Sequence, residues 1–377
     1  MIFVIPHTSR ILRFFAFFLV LSGSCLHLYS QTTGDYRTVS NGNWSNDNIW
    51  ERYNGTNWVT PNRYPGENAG TGIVTVRHAV TFNVDPANAI GSLVIQANLT
   101  PNNSDRTISI LGGLSVSSGT LSLSNNNGRE LIINLEGSLA MTGGAITESA
   151  NSYGEIIFNG SGIQSFSKTG GTISNDIRFT VNSGSTLDMG TSILDGSSGS
   201  FTLNSGAGLI TAHPEGISSS GATGSIRVTG TRSFNTGANY TYNGTVLQIT
   251  GSGLPATVQG LTIDNSAGVD LTASITVTGT LTFSQGIFNA GAGTVNVTSS
   301  ASSAVTGNQS SFLNVTTGWL QRTLPANLTG TGNDFLFPIG EGGACKSINL
   351  IDVTTGATGP GLRASVSPTV SLDGDYI

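Results

Sequence analysis

The most constraining feature of this 377-residue chain is a ten-residue pattern that occurs three times without a gap. Residues 112–121, 137–146 and 279–288 all read Gly-x-Leu-x-apolar-x-x-Gly-x-apolar. The pattern predicts a short strand, a glycine corner and the start of a second strand. A strand-and-corner unit that recurs along a chain is typical of a solenoid, in which each coil stacks on the one before it. The first two copies are 25 residues apart, which predicts a right-handed parallel β-helix with about this coil length.

From about residue 90 onward, apolar and polar residues alternate in short runs, as at 226–229 and 294–297. A period of two predicts β-strands, and Gly, Asn and Ser clusters end the runs because they tolerate the positive φ of tight corners. A β-sandwich would also give many short strands. The recurring windows favour the solenoid, and so does the lack of a tryptophan and cysteine pair in the central region. Leu114, Leu139 and Leu281 are then predicted to lie in an inner aliphatic ladder.

Residues 1–30 have the three parts of a secretory signal peptide. Arg10 and Arg13 form a basic region, an apolar run follows, and small and polar residues come next. The run is too short to span a bilayer, which takes about 20 residues. We place the cleavage after Ser30, and lipoprotein processing at Cys25 is the alternative. No later segment is long and apolar enough for a transmembrane helix, so we expect no membrane-spanning segment in the mature chain.

The mature chain is acidic and has few cysteines. Removal of the signal peptide leaves 13 basic against 21 acidic residues, a net charge of −8. Such a chain repels phosphate backbones, so we expect no nucleic-acid partner. Cys345 is the one cysteine of the mature chain, so no intrachain disulfide can form. Export without disulfides suits a bacterial surface better than an animal extracellular space.

Composition divides the mature chain into three parts. Residues 31–90 contain three of the four tryptophans and are predicted to be an aromatic N-terminal cap with the first coil, because the open end of a solenoid must be covered. Residues 91–310 are predicted to be the repeating coils. Aromatic residues and prolines appear together after residue 310, so 311–377 is expected to be the start of a further β module. The chain stops without a closing signal, which indicates a piece of a longer protein.

Three degenerate motifs occur in a specific order. Gly-x-Trp-Ser…Trp…Pro occupies 42–65, and Gly-Leu-Thr-Ile-Asp-Asn opens the segment 260–281. Gly-Trp-Leu-Gln-Arg at 318–322 then precedes Phe-Leu-Phe-Pro-Ile-Gly at 335–340. In these motifs, which cover most of the mature chain, the protein resembles large adhesin-like surface proteins of Bacteroidota that the type IX system exports. The resemblance implies secretion to the outer cell surface of a Gram-negative bacterium and says little about mechanism.

Candidate catalytic groups are sparse. His78 and His213 are the two histidines of the mature chain, and we expect both to be solvated surface residues. Glu215 lies two residues after His213, but one histidine and one carboxylate do not make a metal site. The acids are thinly spread, so the sequence predicts no catalytic residue, no metal site and no cofactor. A polysaccharide lyase or glycoside hydrolase of the parallel β-helix type is the alternative, since coils can bring remote acids together.

Trp44, Trp50 and Trp58 are the candidate ligand-binding residues, because tryptophan rings can stack on sugar rings. The interpretation that we favour is that they pack the cap, since aromatic side chains dominate small cores. Solvent-facing, coplanar rings would instead mark a carbohydrate-binding module. We predict a non-catalytic secreted cell-surface protein, an adhesin or structural stalk built on a β-helix. Its expected partners are surface glycans or other cell-surface proteins.

Overall fold

The computed structural model describes residues 31–125, 129–149 and 152–366. Strands make up about 46% and helices about 2% of it, and the strands stack as parallel coils in a β-solenoid of about 11 turns. The predicted all-β parallel β-helix is therefore confirmed. The predicted signal peptide at 1–30, with its two candidate cleavage sites, lies outside the described residues, as does the end of the chain from 367 to 377.

The strands are short and follow one another around each coil. The strands of the N-terminal part are β1 (Tyr36–Thr38), β2 (Gly42–Asn43), β3 (Trp50–Tyr53), β4 (Trp58–Val59), β5 (Ile73–Val76), β6 (Val80–Phe82), β7 (Ser92–Ile95), β8 (Leu99–Pro101), β9 (Arg106–Ile110), β10 (Leu114–Val116), β11 (Thr120–Ser122) and β12 (Leu131–Leu135). Those of the middle part are β13 (Leu139–Thr147), β14 (Gly154–Phe158), β15 (Ile163–Ile173), β16 (Ile177–Val181), β17 (Thr186–Asp188), β18 (Ser200–Leu203), β19 (Gly208–Thr211), β20 (Arg232–Phe234), β21 (Asn239–Tyr242), β22 (Gln248–Ile249), β23 (Thr257–Asp264) and β24 (Val269–Asp270). Those of the C-terminal part are β25 (Ile275–Gln285), β26 (Phe288–Gly291), β27 (Thr294–Val297), β28 (Val305–Thr306), β29 (Leu313–Val315), β30 (Trp319–Thr323), β31 (Phe335–Phe337), β32 (Ile339–Glu341), β33 (Ala344–Cys345), β34 (Ile348–Leu350) and β35 (Gly361–Ala364).

Helical structure in the described ranges consists of two single 3-10 turns, Asp47–Ile49 and Ser302–Ala304. Helix formers are scarce in the sequence, and β-branched residues dominate the apolar runs, so the chain favours strands. Within the same ranges, no helix has both the length and the apolar character that crossing a bilayer requires.

The two windows that are 25 residues apart in sequence lie on adjacent coils in register. Leu114 pairs with Leu139, and the strands that follow the glycine corners, β11 and β13, pair as well. A Cβ atom on Gly137 would overlap the carbonyl oxygen of Gly112 on the coil below. The repeated glycine is therefore needed because two backbones approach closely there.

Apolar side chains at alternate positions form one continuous core through the coils. Leu114, Leu139 and Leu281 are at most 1% exposed, which confirms the predicted inner ladder. Leu281 stacks between Leu261 and Val305, further along the solenoid than the first two leucines. Full burial of such a side chain stabilises the fold by roughly 1.5–3 kcal/mol, so each inward position of the ladder contributes to stability.

Two corners contain a buried glutamine amide within the sequence Asn-Gly-x-x-x-Gln. Gln164 Oε1 accepts a hydrogen bond from the Gly160 amide at 2.9 Å, and Gln164 Nε2 donates to the Leu135 carbonyl of the preceding coil at 2.8 Å. Gln248 repeats the arrangement, with the Gly244 amide at 2.7 Å and two carbonyls from an earlier part of the chain. Each side chain satisfies backbone groups that a turning strand leaves without a ladder partner.

A short antiparallel sheet covers the first coil. β1 pairs antiparallel with β3, and β3 pairs antiparallel with β4. On the other side, β1 and β2 pair parallel with β5 and β6, so the cap continues the ladder of the coils. Tyr36, Trp44, Trp50 and Phe82 pack edge to face beneath this sheet. The aromatic rings therefore close the apolar end of the core.

The coils continue past the predicted boundary at residue 310. β29 pairs parallel with β26 and β32, and β30 pairs parallel with β27. The separate β module expected at 311–377 therefore does not start at 311, because residues up to Glu341 still belong to stacked coils. Beyond them, β33, β34 and β35 pair antiparallel with β32, β31 and β30.

The aromatic residues that suggested a new module surround a buried arginine. Arg322 has no exposed surface, and its guanidinium carbon lies 5.3 and 5.8 Å from the ring centroids of Phe335 and Phe337. Its nitrogens donate to the carbonyls of Leu336, Ala301 and Ser302. Burial lowers the pKa of Arg322 to about 10, so the side chain remains charged at neutral pH. The change in composition thus reflects how the last coils are packed.

Candidate ligand-binding groove

Two of the three predicted ligand-binding tryptophans have no exposed surface. Trp44 and Trp50 are both 0% exposed, with ring centroids 5.0 Å apart. The indole N–H of Trp44 donates to the Pro65 carbonyl at 3.0 Å, and that of Trp50 donates to the Trp44 carbonyl at 2.9 Å. The ligand-binding prediction is wrong for both residues, because neither ring face nor N–H group is free for a sugar. They form the core of the cap, as the favoured interpretation held.

Trp58 is half-buried and reaches the surface of the cap. Its ring lies 5.5 Å from that of Tyr53, and the Arg37 guanidinium covers it at 4.2 Å from the centroid. Arg37 is itself fixed by an ion pair with Glu51 at 2.7 Å. A ring covered in this way cannot act with Trp44 and Trp50 as a platform, so the coplanar three-ring site is not formed.

A concave site lies on the side of the solenoid. It is a groove of about 830 Å³, within the usual size range of small-molecule pockets. Ile173, Ile193 and Val228 give it an apolar floor, and Asp195 and Arg227 contribute charged groups. Glycine, serine, threonine and alanine complete most of the wall, so the groove is open to polar ligands along its rim.

A long loop between two coils builds one wall of this groove. The paired residues Phe201 and Arg232 are 31 positions apart, whereas Phe179 and Phe201 are 22 apart. The extra residues turn at three glycines with positive φ: Gly216, Gly221 and Gly224. A parallel bridge between Leu194 and Ile226 ties the loop to the neighbouring coil. The wall is thus fixed by backbone hydrogen bonds.

Charged side chains around the groove are paired, one pair between neighbouring coils and one within the long loop. Lys168 Nζ lies 3.2 Å from the Asp195 carboxylate, and Arg227 lies 3.3 Å from Glu215. The Arg232 side chain donates to carbonyls of the long loop. Exposed or half-exposed pairs of this kind contribute about 0–1 kcal/mol each to stability. Their main effect is to fix the positions of donors and acceptors that a ligand could contact.

His213 contacts Arg227. It is only 9% exposed, so the expectation of a solvated loop histidine is wrong. The guanidinium of Arg227 lies 3.2 Å from Nε2, and the backbone N–H of Glu215 donates to Nδ1 at 3.2 Å. Burial lowers the pKa of His213, and the charge of Arg227 lowers it further against the opposing effect of Glu215. A neutral imidazole is therefore favoured at this position.

The arrangement of the groove suits binding. An apolar floor can contact the face of a sugar ring, and the paired charges and hydroxyl groups of the rim can contact ring hydroxyls. Within the described ranges, no group of three or more His, Cys, Asp or Glu side chains is placed to hold a metal ion. Sequence reasoning missed the groove because Asp195, Arg227 and Ile173 lie on different coils. The extra length and the glycines of the 212–231 loop were the available signal.

Comparison of the chain with protein-family models, with curated proteins and with solved structures finds no match in any of the three.

Proposed function

We propose that this protein is a non-catalytic adhesin or structural stalk of the outer cell surface, built as a stiff β-solenoid. The observation that carries the proposal is the ladder of parallel strands, which runs from β5 to β32 around one continuous apolar core. Each coil is hydrogen-bonded to the coil on either side, and such quasi-one-dimensional stacks hold extended binding surfaces. An extended scaffold of this kind suits a protein that presents a binding surface away from the cell.

The residues also support the proposed location. A basic segment with Arg10 and Arg13, followed by an apolar run, precedes the solenoid, and the motif order resembles that of Bacteroidota surface proteins. On this basis we propose secretion, by the type IX route, to the surface of a Gram-negative bacterium. Surface glycans or other cell-surface proteins are the proposed partners, and the lateral groove is their proposed contact site.

An adhesion experiment tests this role. Beads that display residues 31–377 are passed over surfaces coated with a panel of bacterial and host glycans, and retained beads are counted. Ala222→Trp places a large ring at an exposed position in the groove wall, so we expect retention to fall to background. Ala87→Trp, at an exposed loop position outside the groove, is the matched control and keeps full retention. Equal retention of both variants would contradict the groove as the contact site.

The charged residues of the groove are the feature that supports the enzymatic alternative. The groove places Asp195 and Arg227, each with an ion-pair partner, on neighbouring coils, and β-helix lyases and hydrolases need acids and a basic group on one face. The same glycan panel is therefore assayed for new reducing ends and for unsaturated products. We expect none. Product formation that Arg227→Gln abolishes would replace the adhesin with a polysaccharide-cleaving enzyme.

A further inference from the structure

A second concave site lies in the N-terminal cap. It is a cavity of about 360 Å³ beside β1 and β3, and its other walls are the residues after β4 and the segment before β5. Tyr36, Arg52 and Arg63 line it together with the loop residues Thr60–Asn62 and Asn68–Thr71. None of these residues lines the lateral groove. The cavity is near the lower end of the usual range for ligand pockets, which corresponds to a ligand about the size of one sugar unit.

Two positive charges in this cavity have no acidic partner. Six ion pairs occur among the described residues, and neither Arg52 nor Arg63 takes part in any of them. The contacts of Arg63 are with the side-chain amides of Asn62 and Asn68, which are uncharged. In a mature chain with a net charge of −8, two arginines that converge on one cavity without neutralisation are unusual.

Other arginines without ion pairs have different environments. Arg232 and Arg322 donate to backbone carbonyls. Arg178 and Arg363 cover the rings of Tyr153 and Trp319. Arg77 is exposed. Arg52 and Arg63 are distinguished from these five because both line the same open cavity.

The two nearest acids are already engaged by backbone N–H groups. Asp35 is 4% exposed, and its two carboxylate oxygens accept from the amides of Thr32 and Ile73 at 2.8 Å. Glu67 Oε2 accepts from the Tyr64 amide at 3.2 Å. Their charges therefore reduce, without pairing, the positive potential of the two guanidinium groups, and neither arginine has an acidic partner within the cavity.

The floor of the cavity contains a buried hydroxyl. Tyr36 is 2% exposed, and the Arg52 guanidinium lies 5.9 Å from its ring centroid. Burial raises the pKa of Tyr36 against the opposing effects of Arg52, which include a side-chain hydrogen bond, so the phenol keeps its proton throughout the neutral range. Asn62, Thr60 and Thr71 also line the cavity.

We propose that this cavity binds the carboxylate of an acidic sugar, such as a hexuronate unit of a glycan, between Arg52 and Arg63. Guanidinium groups match planar carboxylates through paired N–H donors, and such charge-assisted hydrogen bonds are about twice as strong as neutral ones. The amides and hydroxyls of the loops match the ring hydroxyls of a sugar. The site is separate from the lateral groove, so its ligand does not depend on the proposed adhesion role.

Titration calorimetry of the soluble mature chain tests the proposal. The probes are a hexuronate trisaccharide, the matching neutral hexose trisaccharide, a sulfated hexose trisaccharide and acetate. We expect the hexuronate to bind at least about tenfold more tightly than the neutral sugar, because hydrogen bonds to a charged group are lost in the latter. Acetate should bind weakly, since it lacks the ring hydroxyls. Tighter binding of the sulfated sugar would overturn the assignment to a carboxylate.

Variants locate the binding site. Arg63 lies in a loop, so Arg63→Gln is expected to keep the thermal stability of the parent and to weaken hexuronate binding about tenfold. Arg52→Gln should do the same, with circular dichroism to establish that β3 still forms. Arg77→Gln, at an exposed position that does not line the cavity, is the control and should bind like the parent. Unchanged binding by folded Arg63→Gln would refute the site, whatever the outcome of the adhesion experiment.

Discussion

Among single residues, His213 has hydrogen-bonding partners that do not match its imidazole ring, and the mismatch depends on pH. The guanidinium of Arg227 can only donate, and the Glu215 amide can only donate, yet a neutral imidazole has a single acceptor nitrogen. Protonation would remove that acceptor as well and place a second positive charge beside Arg227. Gln164 and Gln248 are different, because the oxygen of each buried amide accepts from a backbone N–H and its nitrogen donates to a backbone carbonyl.

This mismatch at His213 predicts how the free energy of unfolding changes with pH. The pKa of His213 is lowered in the folded protein from 6.5, so the unfolded chain takes up the proton first as pH falls. Unfolding is thereby favoured, and the free energy of unfolding should decrease as pH falls below about 6.5 until the lower folded pKa is passed. Denaturant unfolding between pH 8 and pH 5 measures the slope.

A comparison of histidine variants isolates the effect from the carboxylates, which also titrate at low pH. His213→Gln should lose part of the pH dependence of the parent, and His78→Gln is the matched histidine control. The same slope in both variants would mean that His213 does not contribute.

At the element scale, glycine corners set how closely successive coils approach. Gly137 faces the backbone of Gly112 with no room for a Cβ atom, whereas Gly162 has no atom within 4 Å of the same position. Both residues precede a strand, β13 and β15 respectively. The sequence alone does not distinguish them, although the structure gives them different roles.

These two glycines form a matched pair for mutation. Gly137→Ala should destabilise the protein by about 1–3 kcal/mol, the usual cost of forcing extra volume into packed structure. Gly162→Ala should be neutral or stabilise by up to about 1 kcal/mol, because alanine restricts the unfolded chain. Urea unfolding curves of both variants give the comparison. Equal destabilisation would show that the approach of the coils at Gly137 is looser than described.

Sequence reasoning succeeded where the determining interactions are local. The alternation around Leu114 and Leu139, with a glycine before each strand, predicted both the strands and their stacking. It failed where distant residues meet. The position of the Trp44 ring depends on a carbonyl 21 residues away, and the cavity around Arg52 and Arg63 depends on how two loops fold together. A linear pattern contains neither relation.

At the scale of the whole molecule, the core is a single stack, and each coil is supported by its two neighbours. Leu139 lies between Leu114 and Phe166, on the coils before and after it. A defect at this position therefore affects three coils at once. In such a stack, stability depends on the interfaces between neighbouring repeats.

Leu139→Asp should consequently unfold several coils. An unpaired carboxylate in the apolar ladder has no hydrogen-bond partner, and such burial costs about 3–5 kcal/mol. The β signal in circular dichroism should fall substantially at 25 °C. Ala140→Asp, the half-buried neighbour on the other face of β13, is the control and should keep the parent spectrum. Retention of the full β signal by Leu139→Asp would refute the register of the inner ladder.

The strands at the two described ends of the ladder have a consequence for assembly. β3 runs against β1 at one end, and β35 runs against β30 at the other. A second molecule that offered a parallel coil to the β35 end would meet a strand of the opposite direction, whereas the outermost strand of the cap is β4, which runs antiparallel to β3. Exposed strand edges otherwise serve as templates for growth into fibres. The antiparallel β35 therefore opposes the addition of a parallel coil at its own end of the ladder.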